Sequence, residues 1–137
     1  MENIIKVAAA QITPIFLNKE KTIEKACDTI SEAGKKGAKL IVFPEAFISG
    51  YPDWVWLIPN SHGAALNELY IKLVENAVSI PDNSTEKLCK AAKSAGINVV
   101  IGMNERNSES SGASLYNSLL FINDQGVIMG KHRKLIP

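Results

Sequence analysis

Two cysteines in 137 residues cannot build a disulfide framework. Cys27 and Cys89 fall inside helical patterns with no histidine nearby in sequence, and read as inert packing. No apolar run approaches the roughly 18–20 residues of a membrane span. The opening Met1-Glu2-Asn3-Ile4-Ile5-Lys6 lacks the basic region and long apolar core of a secretory signal, so a reducing cytoplasm is the expected location. Fifteen basic and fourteen acidic residues leave a net charge of +1, which argues against nucleic acid and membrane surfaces as partners. Neither His62 nor His132 has a Cys, Asp or His partner at ligand spacing, so no metal site is expected. The turn Ile12-Thr13-Pro14-Ile15 contains no glycine. Gly34-Lys35-Lys36-Gly37 reads as a helix stop, lacking both the dinucleotide and P-loop patterns, and a nucleotide-binding domain is set aside.

What the chain does have is apolar periodicity. Apolar residues make up 46% and charged residues 21%, the balance of an ordinary globular protein, and the length suits one domain over residues 1–137. Residues 5–12 form a β-rich segment closed by Thr13-Pro14. Ile23, Ala26, Cys27, Ile30 and Ala33 then recur at helical spacing, with Asn18 as cap and Gly37 as stop. Lys39-Leu40-Ile41-Val42-Phe43 reads as a buried strand that Pro44 ends. Leu66, Leu69, Tyr70, Leu73 and Ala77 predict a second helix, interrupted by Ile80-Pro81. Asn83-Ser84-Thr85-Glu86 resembles a capping box opening a third, with Leu88, Ala91, Ala92 and Ala95 facing inward and Gly96 as its end. Residues 97–102 form another buried strand, a polar loop covers 107–112, and residues 115–122 turn through Asn123-Asp124-Gln125-Gly126 into a last strand over 127–130. The order β-α-β-α-α-β-β-β predicts an α/β sheet layered by helices. Five strands and three one-sided helices leave a sheet face that invites association.

The chemistry centres on Glu45. It stands where a buried strand meets a loop broken by Pro44, Gly50 and Pro52, the end of an α/β strand at which ligand crevices form. Desolvation there is expected to raise its pKa, which suits a general base near neutral pH. A lysine brought beside it, such as Lys134, could hold positive charge against a negative transition state. Tyr51 and Trp54, on the same loop, are the candidate lining of an apolar pocket, with Trp56 a weaker candidate.

Phe43-Pro44-Glu45 with Gly50-Tyr51-Pro52, followed by Lys131-His132-Arg133-Lys134-Leu135, resembles the amino-terminal half of the nitrilase, or carbon–nitrogen hydrolase, superfamily. The opening Val7-Ala8-Ala9-Ala10-Gln11 and the segment Tyr116-Asn117-Ser118 are similar to that family's first strand and hairpin, so the resemblance covers the whole chain. It implies half of a four-layer α-β-β-α sandwich and a Cys-Glu-Lys mechanism without cofactor, in which Glu45 is the base and Lys134 the catalytic lysine. The nucleophilic cysteine of the family lies a few dozen residues beyond that lysine. The expectation is therefore one portion of a nitrilase, inactive alone, whose partner is the remaining carboxyl-terminal polypeptide carrying the cysteine. The implied reaction converts a nitrile to its carboxylic acid and ammonia, and the implied assembly is a homo-oligomer. An amidase, carbamoylase or cyanide-degrading member of the superfamily is the alternative, as is a non-catalytic subunit that kept the fold. The Tyr51-Pro52-Asp53-Trp54 loop is more similar to the nitrilase branch, and its aromatic rings suit an aryl or arylalkyl nitrile.

Overall fold

A computed structural model describes residues 4–107 and 114–135. The polar loop expected over 107–112 lies, apart from Asn107, outside the described residues. The elements run β1 (Val7–Ala9), α1 (Lys19–Lys35), β2 (Leu40–Val42), α2 (Trp54–Leu57), α3 (Gly63–Glu75), α4 (Asn83–Ala95), β3 (Asn98–Arg106), β4 (Leu115–Ile122) and β5 (Ile128–Arg133). They build one sheet in the order β1-β2-β3-β4-β5, parallel through the first three strands and antiparallel beyond. The predicted α/β class and layering match this arrangement. The differences are α2, one turn of helix inside the aromatic loop and too short to show a period, the end of α3 at Glu75 short of Ala77, and the reach of the last strand to Arg133 rather than Gly130.

Helices α1 and α4 cover one face of the sheet. Ile23, Ala26 and Ile30 of α1 and Leu88 and Ala92 of α4 are fully buried against Ile41, Val99, Ile101, Met103, Leu120 and Ile122. Each isoleucine or leucine so buried contributes about 1.5–3 kcal/mol of hydrophobic transfer. Gly34 belongs to this interface rather than to a stop. A Cβ there would lie 2.9 Å from both Ala95 Cβ and Ala95 O, so its lack of a side chain lets α1 and α4 approach. Gly37, beyond the helix at φ +80°, is the stop.

Both helix starts are capped by side chains. Asn18 accepts from the Lys21 N–H at 3.1 Å, as the sequence predicts. The box opening α4 is displaced by one residue. Asp82, not Asn83, is the cap: its carboxylate accepts from the Thr85 N–H at 2.9 Å, and Thr85 Oγ1 accepts from the Asp82 N–H at 2.8 Å. Asp82 has extended backbone, φ −153° and ψ −177°, whereas Asn83 is already the first helical residue.

Neither α1 nor α4 covers the opposite face of the sheet, where Trp54 of α2 and Tyr70 and Leu73 of α3 share a hollow with Asn117. Strand alternation turns Val7 and Val42 to this side, where they are 62% and 40% exposed. The same alternation places Asn117, Leu119 and His132 there, at the end of the sheet where β2 runs out.

Candidate active site

Glu45 is set by the way β2 ends. Pro44 closes the strand and Ala46 takes a left-handed backbone, φ +47°. The chain then returns beside β3, where Ile48 N–H donates to Gly102 O at 3.0 Å. Pro44, Glu45 and Ala46 thus lie directly over Gly102. A Cβ on Gly102 would fall 2.3 Å from Pro44 O, 2.7 Å from Ala46 N and 2.9 Å from Glu45 Cα. No side chain fits beneath the candidate base. Asn104, two residues along β3 and buried, secures the rest of the loop by donating to Gly50 O at 2.9 Å.

Lys134 arrives from the other end of the chain. It follows β5 directly, and its backbone N–H donates to Asn117 O at 2.8 Å. Its Nζ donates to Glu45 Oε1 at 2.9 Å. Asn117 Nδ2 donates to the same oxygen at 2.6 Å, while Oε2 accepts no hydrogen bond among the described residues. Glu45 and Lys134 are about half exposed, so solvent screens the pair and it adds little to stability. Its importance lies in geometry.

The electrostatics reverse one expectation. Glu45 is held below the ordinary carboxylate range, first by the hydrogen bond from Lys134 and then by that from Asn117, with burial opposing weakly. Lys134 is correspondingly raised by its bond to Glu45. The predicted upward shift required desolvation, and the carboxylate stands in the open beside an ammonium.

Two hollows meet at Lys134 and Asn117. One, of about 210 Å³, is bordered by Glu45, Leu119 and His132 as well. The other, of about 240 Å³, is walled by Tyr51, Trp54, Tyr70, Leu73 and Tyr116, so both aromatic candidates line a cavity that Lys134 also borders. Trp54 is buried and its indole N–H has no acceptor among the described residues, whereas Trp56 is 80% exposed and borders neither hollow. Cys27 and Cys89 border other surfaces. Burial pushes both thiols up, with Asp28 adding to Cys27 and Glu86 to Cys89, the reverse of an activated nucleophile.

The sequence reading passed over Asn117 as a functional residue, and over Glu105. Glu105 is 1% exposed, on the face of β3 opposite Glu45, and accepts from Ser118 Oγ at 2.7 Å, Arg133 Nε at 2.9 Å and Nη2 at 2.8 Å, and from Lys131 Nζ. Burial alone would raise its pKa, but these donors outweigh it and hold the group at about 2. Among the described residues no three His, Cys, Asp or Glu side chains gather as metal ligands, and no helix is long and apolar enough to cross a membrane.

Residues 6–137 match the family model described as carbon-nitrogen hydrolase. The chain belongs to the carbon–nitrogen hydrolase family. It is 43% identical over 130 residues to a nitrilase from Bacillus sp. (strain OxB-1), covering 95% of this chain and 36% of that protein. It is 36% identical over 135 residues to an aliphatic nitrilase from Rhodococcus rhodochrous, covering 98% and 35%. With an arylacetonitrilase from Macrophomina phaseolina it shares 38% over 133 residues, covering 97% and 36%. The chain thus spans a little over a third of the length of these relatives. In structure, a cysteine-to-serine mutant of the Nesterenkonia AN1 amidase, from the nitrilase superfamily, superposes with a TM-score of 0.68 at 19% identity, over 97% of this chain and 44% of that one. This carbon–nitrogen hydrolase chain therefore has the nitrilase-superfamily α/β sandwich fold.

Proposed function

We propose that this chain supplies the base, the cation and part of the substrate pocket of a nitrilase, which hydrolyses a nitrile to a carboxylic acid and ammonia. The observation that carries the reading is Glu45 Oε1 held by Lys134 and Asn117 beside an aromatic hollow, with Oε2 left open to take a proton. The nitrilase branch is supported by the identities of 34–43% to proteins named as nitrilases and arylacetonitrilases. Amidase likeness rests on fold alone, at 16–20% identity.

A thiol is the missing reactant, and neither Cys27 nor Cys89 is placed for it. We assign it to further polypeptide packing on the uncovered sheet face, a role supported by the exposed Val7 and Val42 on that side. The structurally similar amidase from Nesterenkonia sp. AN1 has an active-site cysteine. In the proposed sequence Glu45 Oε2 accepts the thiol proton as sulfur bonds to the nitrile carbon. One C≡N π pair moves to nitrogen, which takes the proton back from Glu45 to give a thioimidate and restore the carboxylate. Lys134 stabilises the charge that collects on that nitrogen. Glu45 then deprotonates water for addition at the thioimidate carbon and passes that proton to nitrogen; ammonia leaves with the C–N electron pair and the hydroxyl proton, giving a thioester that a second water cleaves to the acid and the thiol. The sulfur chemistry needs neither metal nor cofactor. A hollow of about 240 Å³ is smaller than the roughly 300–1,000 Å³ of drug-sized sites and suits a small aryl or arylalkyl nitrile. A cytoplasmic homo-oligomer is the accompanying proposal. Incubating the full natural polypeptide with phenylacetonitrile and with phenylacetamide decides between branches. Acid from the nitrile supports a nitrilase, and ammonia from the amide alone overturns it.

A further inference from the structure

We propose that Glu105 is a positioning residue for Lys134, pinning the register of β5 from the opposite face of the sheet; this rests on the catalytic reading of Lys134 above. Strand β5 is held by β4 alone among the described strands, and the pairing is already irregular at Phe121/Ile122. Its end reads Lys131-His132-Arg133-Lys134, four basic side chains in a row. A slip of one residue would exchange the two faces. It would aim Arg133 at Glu45 and Lys134 at the back of the sheet, and net charge would hardly oppose it.

Glu105 breaks this near-degeneracy by shape. Its oxygens receive Arg133 Nε and Nη2 as a fork at 2.9 and 2.8 Å, which neither a lysine nor a histidine can supply. Lys131, two residues earlier on the same face, and Ser118, directly opposite Arg133 on β4, complete the set. The Arg133 guanidinium also lies over the Tyr116 ring, 4.3 Å from its centroid. Lys134 is the next residue and must emerge on the Glu45 side. The anchored arginine and the catalytic lysine are thus consecutive residues on opposite faces, so fixing one aims the other.

The experiment compares Glu105→Gln and Arg133→Lys with wild type in the full natural polypeptide, with Glu45→Gln alongside. Arg133→Lys keeps the charge and loses the fork together with the guanidinium plane over Tyr116. In each folded variant kcat is expected to fall about 10- to 100-fold, the effect of roughly 1 Å of misplacement, while KM changes less than about threefold. The acidic limb of kcat/KM is expected to move to higher pH, because Glu45 loses the ammonium that holds it down. His132, Tyr51, Tyr70 and Tyr116, the other titratable groups lining the two hollows, are unchanged in both variants. Wild-type kcat with an unmoved acidic limb overturns the proposal, as does activity that falls only with the folded fraction. If Glu105→Gln does not fold, Arg133→Lys decides on the same criteria. Full turnover by Glu45→Gln overturns the hydrolase reading itself. An inactive Glu45→Gln with a wild-type-like Arg133→Lys overturns the positioning role alone.

Discussion

Gly102 carries as much of the site as any charged group. Its missing Cβ is the space on which the Glu45 backbone rests, and Gly102→Ala puts a carbon 2.3 Å from Pro44 O. Backbone cannot swing aside as a flexible side chain does, so overpacking here is expected to cost about 1–3 kcal/mol. Chemical denaturation would measure that loss, and activity should fall further than the lost folded fraction explains. The charged residues behave in the opposite way. Glu45→Gln and Lys134→Met remove an exposed pair worth little to folding, so both should unfold near wild type in urea. Hydrolysis by the full polypeptide should drop about 10²–10⁴-fold, the usual range for a positioned proton-transfer group. Loss of stability without loss of turnover would sink the assignment.

The helices and strands follow from patterns that the sequence displays openly. α1 buries the stripe predicted for it because Ile23, Ala26, Ile30 and Ala33 recur at its period, and Asn18 caps it. The start of α4 was harder to place, because Asp82 and Asn83 are neighbours with equally suitable cap side chains. Backbone conformation chose Asp82. Asp82→Ala should cost about 1 kcal/mol, read as a lower melting temperature, while Asn83→Ala should cost far less. The convergence of Glu45 and Lys134 was legible only through a motif. Nothing in local periodicity says that positions 89 apart will meet. Asn117 and Glu105 escaped because their partners depend on the β3-β4-β5 register. An isolated Asn or Glu in a strand carries no trace of that register.

The uncovered sheet face and the buried Glu105 cluster govern how the molecule responds to its surroundings. Glu105 has its folded pKa depressed to about 2 from 4.5, so its stabilisation is present above about pH 4.5 and is lost as pH falls toward 2. The loss is on the order of 2–3 kcal/mol, with the one-third exposure of Lys131 and Arg133 discounting it. Urea unfolding from about pH 6 down to pH 2.5 checks this. The stability gap between wild type and Glu105→Gln should narrow with acid, and a gap of constant size would show that the carboxylate's charge is not the cause. The open face has its own consequence: the chain expressed as it stands should elute in gel filtration above its 14.9 kDa as concentration rises.

The bond from Lys134 to Glu45 closes a loop of most of the polypeptide. Ordering so long a segment before any contact rewards it is an entropic burden that falls on the last steps of folding. While the nascent chain is still emerging, the carboxylate waits without its ammonium until β5 has docked. The contact between Glu45 and Lys134 would thus be a late one, a sign that β5 has taken its place in the sheet.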